Sequence, residues 1–260
     1  MKVATVIVGT DTERFRRLGA NPERIALARR IAGFVKRGRA DLCVMPAGYL
    51  AATSRMTAAI RETADQLASI FEDVDLVAGV DAARTDSAKS ATNQRDSAKA
   101  GERSKPPRGG WPFWGFVSRR GRVQAVYQQR TVHPGEKTDD ITARVVKVTS
   151  ARVGLLICGE VYDPALAESL GHEHPDLVVD VGHRSMGRGF TSTLHNAAAA
   201  AGCCVLHAQH VVLRSHGASK WTATTRRAWA ETDADCTLYA VDDVRNALWA
   251  EVKFWEVESK

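Results

Sequence analysis

The residue with the most chemistry in reach is Cys158, in the run VGLLICGEVYDP from Val153 to Pro164. Val153, Leu155, Leu156 and Ile157 read as a buried strand, and Gly159, Glu160 and a helix start at Asp163-Pro164 follow it at once. A strand end that opens into a turn is where α/β folds present reactive groups, and a thiolate there can attack an electrophilic carbon. The other fate of a lone Cys is a small core hydrophobe. Three histidines end neighbouring apolar runs: His183 after Leu177 to Val181, and His207 and His210 at the close of the run from Cys203. Strand ends converge in such folds, which leaves a Cys–His pair open. Gly182 to Gly189 carries Gly and Arg that could take an anionic group, or serve only as a connector. His172-Glu173-His174 has metal-binding residue types but nothing nearby completes a ligand set. No metal or cofactor is expected, since no P-loop, GxGxxG or HExxH is present.

The elements that would hold these groups alternate between strand and helix. Lys2 to Gly9 reads as a buried strand. Asn21-Pro22-Glu23 signals a helix start, with Ile25, Ala28, Ile31 and Val35 on its apolar face and Gly38 as its stop. Asp41 to Met45 is a second strand, Thr53 or Ser54 caps a second helix, and Asp75 to Val80 is a third strand. Trp111 to Tyr127 reads as a hairpin turning at Gly121. Further strands are expected at Val145–Val148, Leu177–Val181, Cys203–Ala208, Leu238–Val241 and Leu248–Trp255, with helices at Pro164–Leu170 and Ser192–Ala201. The alternation argues for α/β, parsed as one domain over residues 1–260. Asp81 to Gly110 has no large aliphatic residue and ends in Lys105-Pro106-Pro107. It is expected to be an exposed loop, and an inert insertion is favoured over a lid because it has no apolar anchor to close on.

Composition narrows the classes. At 260 residues the chain can bury a core without staples. Five Cys without a CxxC pair, most in apolar runs, point to reduced thiols and a cytoplasmic location. No apolar stretch approaches membrane-spanning length. The net charge is +6. The Lys and Arg are scattered rather than gathered into a stripe with aromatics, which argues against nucleic acid as a partner.

Three segments taken together resemble the nitrilase, or carbon–nitrogen hydrolase, superfamily: DLCVMPAGYL (Asp41 to Leu50), GRVQAVYQQRTVHPGE (Gly121 to Glu136) and VGLLICGEVYDP. The likeness continues in HPDLVVDVG and in TSTLHNAAAAAGCCVLHAQ. It implies a four-layer α-β-β-α sandwich, a homodimer or larger homo-oligomer, and a small amide, nitrile or acid ligand. It also implies a Cys nucleophile, a Glu base, a Lys that stabilises the oxyanion, and a second Glu. Cys158 matches the nucleophile and Glu136 the second Glu. The base position holds Ala47, before Gly48-Tyr49, and the Lys position holds Gln129. Glu160 matches a Cys-x-Glu pattern of some branches. The resemblance thus assigns Cys158, Glu136 and Glu160 to catalysis, and Gln129, Ala47, Tyr49 and His183 to the substrate pocket.

Two readings follow. In the first, loss of the proton carrier and the cation leaves an impaired member that binds a small molecule or a partner. In the second, Cys158 remains active with a replaced base, either Glu160 or a His. In that reading Gln129 could still give the oxyanion one uncharged hydrogen bond.

Overall fold

The computed structural model describes residues 1–10, 21–82, 111–130, 141–149, 151–183, 190–212, 223–224, 228–230, 236–239 and 248–258. In its first half the strands are β1 (Lys2–Thr10), β2 (Leu42–Val44), β3 (Leu50–Ala52), β4 (Asp75–Ala82), β5 (Phe113–Arg119) and β6 (Arg122–Gln128). The helices there are α1 (Asn21–Arg37) and α2 (Thr57–Ala68). The second half holds β7 (Val145–Val148), β8 (Ala151–Ile157), β9 (Leu177–Val181) and β10 (Cys204–Val212), with helices α3 (Pro164–Gly171) and α4 (Phe190–Ala201). Short strands β11 (Ala223–Thr224), β12 (Ala228–Ala230) and β13 (Cys236–Tyr239) precede the long β14 (Trp249–Val257).

One curled sheet runs β6-β5-β4-β2-β1-β10-β9-β8-β7, and β14 lies antiparallel along β1. The six strands β4, β2, β1, β10, β9 and β8 are parallel to one another in this path, while β5 and β7 flank them antiparallel. Their C-terminal ends therefore share one edge.

Side-chain alternation sorts each strand between two cores. In β8, Val153, Leu155 and Ile157 meet Val44, Val77 and Val117 of the other half, forming a core between the two sheet halves. Leu156 points the opposite way, into a cluster with Leu166 and Leu170 of α3 and Leu194 of α4. On the other outer face, Leu27 and Ile31 of α1 and Ile60 and Leu67 of α2 cover Ala4, Val6 and Val8 of β1. The order is helices, sheet, sheet, helices, as the resemblance implied.

Most expected elements are present. Asp163 caps α3 by accepting the Ala165 N–H at 3.1 Å, with Pro164 at the first helical position. Gly121 turns the hairpin at φ +76°. Two boundaries differ. The second helix begins at Thr57, with Met56 as an uncapped N-cap; Ser54 Oγ reaches only the Met56 N–H, at 3.3 Å. The region expected as loop from Asp81 begins as strand, because Asp81 and Ala82 are held in the ladder against Phe113 and β3. Residues 83–110 lie outside the described residues. Among the described residues, no helix is long and apolar enough to cross a membrane.

The core between the halves sets a stability prediction. Leu155→Ala deletes a fully buried side chain that both halves enclose. The expected cost is about 2–5 kcal/mol, read as a lower urea midpoint with an unchanged slope.

Candidate active site

The chain leaves β8 at Ile157, and Cys158 opens a 3-10 segment that ends at Tyr162. Cys158 has φ +53°, a left-handed conformation rare for a non-glycine residue and worth about 1–3 kcal/mol of strain. Such strain is held where the surroundings over-determine the backbone. Cys158 is partly buried and packs against the core between the halves, the same core that receives the Ala47 side chain. The position where the resemblance implied a carboxylate holds a fully buried methyl group in that core.

His183 stands where β9 ends. Its Nε2 lies 2.8 Å from Asp81 Oδ1, at the end of β4 in the facing half. Phe113 packs on the ring at 4.3 Å between centroids. Cys158 acts on the imidazole electrostatically. His183 Nδ1 has no hydrogen-bond partner among the described residues. Burial by itself pushes the His183 pKa down. Asp81 and Cys158 together outweigh it and hold the imidazole well above its usual 6.5. Asp81 also fills the space beside Gly48, where a Cβ would stand 2.7 Å from the carboxylate. Glycine before Tyr49 is thus required by the Asp81–His183 pair.

His210 differs. Its Nε2 donates to the Ala47 carbonyl at 2.9 Å, and its N–H donates to the His183 carbonyl at 3.0 Å. Burial pushes its pKa well below 6.5, and the positive charges of Arg24 and His183 add to that. It is a neutral brace under the site. Ala47 N–H donates to the Gly182 carbonyl at 3.2 Å, so the two halves are stitched beside Cys158.

The other expected site residues fare unequally. Glu160 is fully buried and already occupied. It accepts from Arg144 Nη1 at 2.5 Å, the Arg130 N–H at 2.6 Å and the Ile157 N–H at 2.9 Å. Burial pushes its carboxyl up, while Arg144 and the two amides oppose that. Three donors bind it and anchor the turn after β8. Tyr49 is buried on the α1 side, where its hydroxyl donates to the Arg24 carbonyl at 2.6 Å, away from the face that carries Cys158. Gln129 is buried at the end of β6, its N–H donating to the Phe113 carbonyl at 2.9 Å. Its neighbour Arg130 reaches Glu160, so Gln129 sits at the same end of the sandwich as Cys158. Glu136 lies outside the described residues. Residues 184–189 do as well, and Glu173 pairs with Arg152 at 3.0 Å.

Asp81, Asp180 and Arg144 were not singled out from sequence. A carboxylate inside the apolar run Leu177–Val181 was the available signal for Asp180, because a buried charge demands a partner. Arg144 carried no such signal.

No protein-family model and no curated protein matches the chain. Solved structures do. The NitN amidase of Nesterenkonia sp. AN1 superposes with TM-score 0.55 at 16% identity, over 81% of this chain and 78% of that one. A cysteine-to-serine mutant of that amidase, from the nitrilase superfamily, gives TM-score 0.55 at 15% identity over 81% and 77%. A further mutant, with acrylamide added at its active-site cysteine, gives 0.54 at 16% identity over 81% and 78%. The fold of this chain is nitrilase-like.

The raised His183 pKa fixes a sign. A group with a higher folded than unfolded pKa stabilises the protein below the unfolded value, here about 6.5, and loses that contribution as pH rises through the folded one. Asp81→Asn is expected to cost roughly 1 kcal/mol near pH 6, in a pair that is partly exposed. The gap from wild type should close as the solution is made alkaline, as followed by thermal unfolding across pH.

Proposed function

We propose that this protein is a thiol-dependent hydrolase of C–N bonds in small amides, with Cys158 as nucleophile and His183, oriented by Asp81, as base. One observation carries the reading: His183 Nε2 lies 2.8 Å from Asp81 Oδ1, and Cys158 is within electrostatic reach of the same imidazole. A nucleophile, a base within reach, and a third group that orients the base form the general pattern of an activated nucleophile. With Asp81 at Nε2, Nδ1 is the nitrogen left to take the thiol proton in this reading.

The steps follow from these groups. His183 takes the thiol proton, and the resulting thiolate attacks the amide carbon. The imidazolium returns the proton to the leaving amine, which leaves a thioester on Cys158. A water then gives its proton to His183 and attacks the thioester, releasing acid and thiol. Gln129 supplies one uncharged hydrogen bond for the oxyanion, in place of the ammonium that the resemblance implied. A neutral donor stabilises that charge less than a cation does, so turnover is expected to be slow.

The solved amidase structures include complexes with acrylamide and butyramide, and small aliphatic amides of that kind are the substrates to try first. A homodimer or larger homo-oligomer is part of the same proposal. The binding-only reading rests on Ala47 and Gln129.

The test is an ammonia-release assay on a panel of small amides. Cys158→Ala should abolish turnover. His183→Ala should lower kcat/KM by about 100- to 10,000-fold, and Asp81→Asn by about 100-fold or more. Wild-type protein that turns over nothing, with Cys158 alkylated by iodoacetamide no faster than a free thiol, would sink the enzyme reading and leave the binding one.

A further inference from the structure

A buried guanidinium, that of Arg24, holds the turn that lies against Asp81. Arg24 stands in the first turn of α1, where the helix dipole disfavours a cation, and it is only 3% exposed. Burial pushes its pKa down, while Tyr49, Asp81 and Glu23 oppose that. Its donors reach the turn between β2 and β3. Nη1 donates to the Gly48 carbonyl at 2.8 Å and to the Tyr49 carbonyl at 2.6 Å. The Tyr49 hydroxyl donates back to the Arg24 carbonyl, so helix and turn are locked in both directions.

The same turn meets Asp81. Gly48 has φ +63°, and a Cβ built on it would stand 2.7 Å from the Asp81 carboxylate. The glycine backbone is therefore packed directly against the group that contacts His183 Nε2 at 2.8 Å. Backbone bonds tie the turn to β4 as well: the Tyr49 N–H donates to the Gly79 carbonyl at 3.0 Å, and the Gly79 N–H to the Pro46 carbonyl at 3.2 Å. Asp81 closes β4 and its side chain is 30% exposed, so a wall on one side restricts where its oxygens can lie. A chain of contacts runs from Arg24 through Gly48 and Asp81 to His183.

We infer that Arg24 is a positioning residue for the candidate base: it pins the Gly48–Tyr49 turn against the Asp81 carboxylate and so keeps that carboxylate on His183 Nε2. The inference rests on the reading of His183 as base. Loss of Arg24 has two opposite consequences for His183. On charge alone, removing a nearby cation raises the pKa of an imidazole; removing the pin frees Asp81 from Nε2 and lowers it. The sign therefore separates positioning from charge. The other titratable groups that act on His183 are Cys158 after β8, Asp180 of β9 and His210 of β10, and every variant below leaves them unaltered.

The experiment is an NMR titration of the His183 Cε1–H signal, identified by its loss in His183→Ala, with Asp81→Asn as the reference for a broken pair. Wild type is compared with Arg24→Met, Arg24→Lys and Gly48→Ala. Arg24→Met is expected to lower the His183 pKa by about 0.5 or more, toward its value in Asp81→Asn. Arg24→Lys is expected to stay within about 0.3 of wild type, because one nitrogen makes both bonds and an ammonium has the donors to replace it. Gly48→Ala is expected to lower the pKa too, since the added Cβ must push the carboxylate aside. Thermal melts report folding; if Arg24→Met does not fold, Gly48→Ala must lower the pKa while Arg24→Lys leaves it in place. A His183 pKa unchanged or raised in Arg24→Met, unchanged in Gly48→Ala, or as low in Arg24→Lys as in Arg24→Met overturns the inference. The titration needs no turnover, so the two ideas fail separately. Absent ammonia release with the expected shifts would sink the hydrolase reading and leave Arg24 its role toward the Asp81–His183 pair. Release that depends on His183, with the titrations unmoved, would do the reverse.

Discussion

Everything at the candidate site depends on parallel strand pairing. Because β4, β2, β1, β10, β9 and β8 run the same way, their C-terminal ends reach one edge of the curled sheet. Asp81 closes β4, Cys158 follows β8, His183 follows β9, and His210 lies in β10. These residues are far apart in the chain and share nothing local. The core between the halves draws the ends together, as apolar side chains of β8 and β9 interlock with those of β2, β4 and β5. The Ala47–Gly182 hydrogen bond then closes the seam beside the thiol.

Within that edge, environment decides what each histidine is. His183 and His210 are hydrogen-bonded neighbours through the backbone, yet their imidazoles are pushed in opposite directions. Burial disfavours the charged form of both. His183 has a carboxylate against its ring and Cys158 within electrostatic reach, and His210 has a backbone carbonyl and two cations nearby. One ring is suited to hold a proton, and the other to stay neutral. The methyl group of Ala47 brings no negative charge to this edge, and Asp81 brings one from the neighbouring strand.

Buried charges elsewhere in the molecule are tied with similar completeness. Glu160 holds Arg144, whose Nη2 also donates to the Gln128 carbonyl at 2.8 Å while the guanidinium lies over the Tyr127 ring. Asp75 accepts from the Thr149 amide at 2.7 Å and its hydroxyl at 2.6 Å, joining β4 to the loop after β7. It also accepts the Arg120 N–H at 3.2 Å. Each of these carboxylates links segments distant in sequence, and each would leave uncompensated donors behind if removed.

Much of this was legible in the chain itself. Alternation of apolar runs fixed the strand–helix order, the Asp163-Pro164 cap marked α3, and Cys158 was marked by its place at the end of the most apolar run. The segments around Ala47, Gln129 and Cys158 pointed to the fold. The partners of Cys158 were not legible. Asp81 lay in a stretch whose composition read as loop, and only pairing on both sides, with Ala51 and with Phe113, makes it strand. Glu160 looked like a free acid until Arg144, from a segment with no motif, took its charge. Tyr49 looked like part of the pocket, but the turn between β2 and β3 places it toward α1, where its hydroxyl donates to the Arg24 carbonyl. Local sequence determines periodicity, caps and turns because those depend on residues a few positions apart. Which carboxylate meets which imidazole depends on the register of strands more than a hundred residues apart, and only the packed sheet decides it.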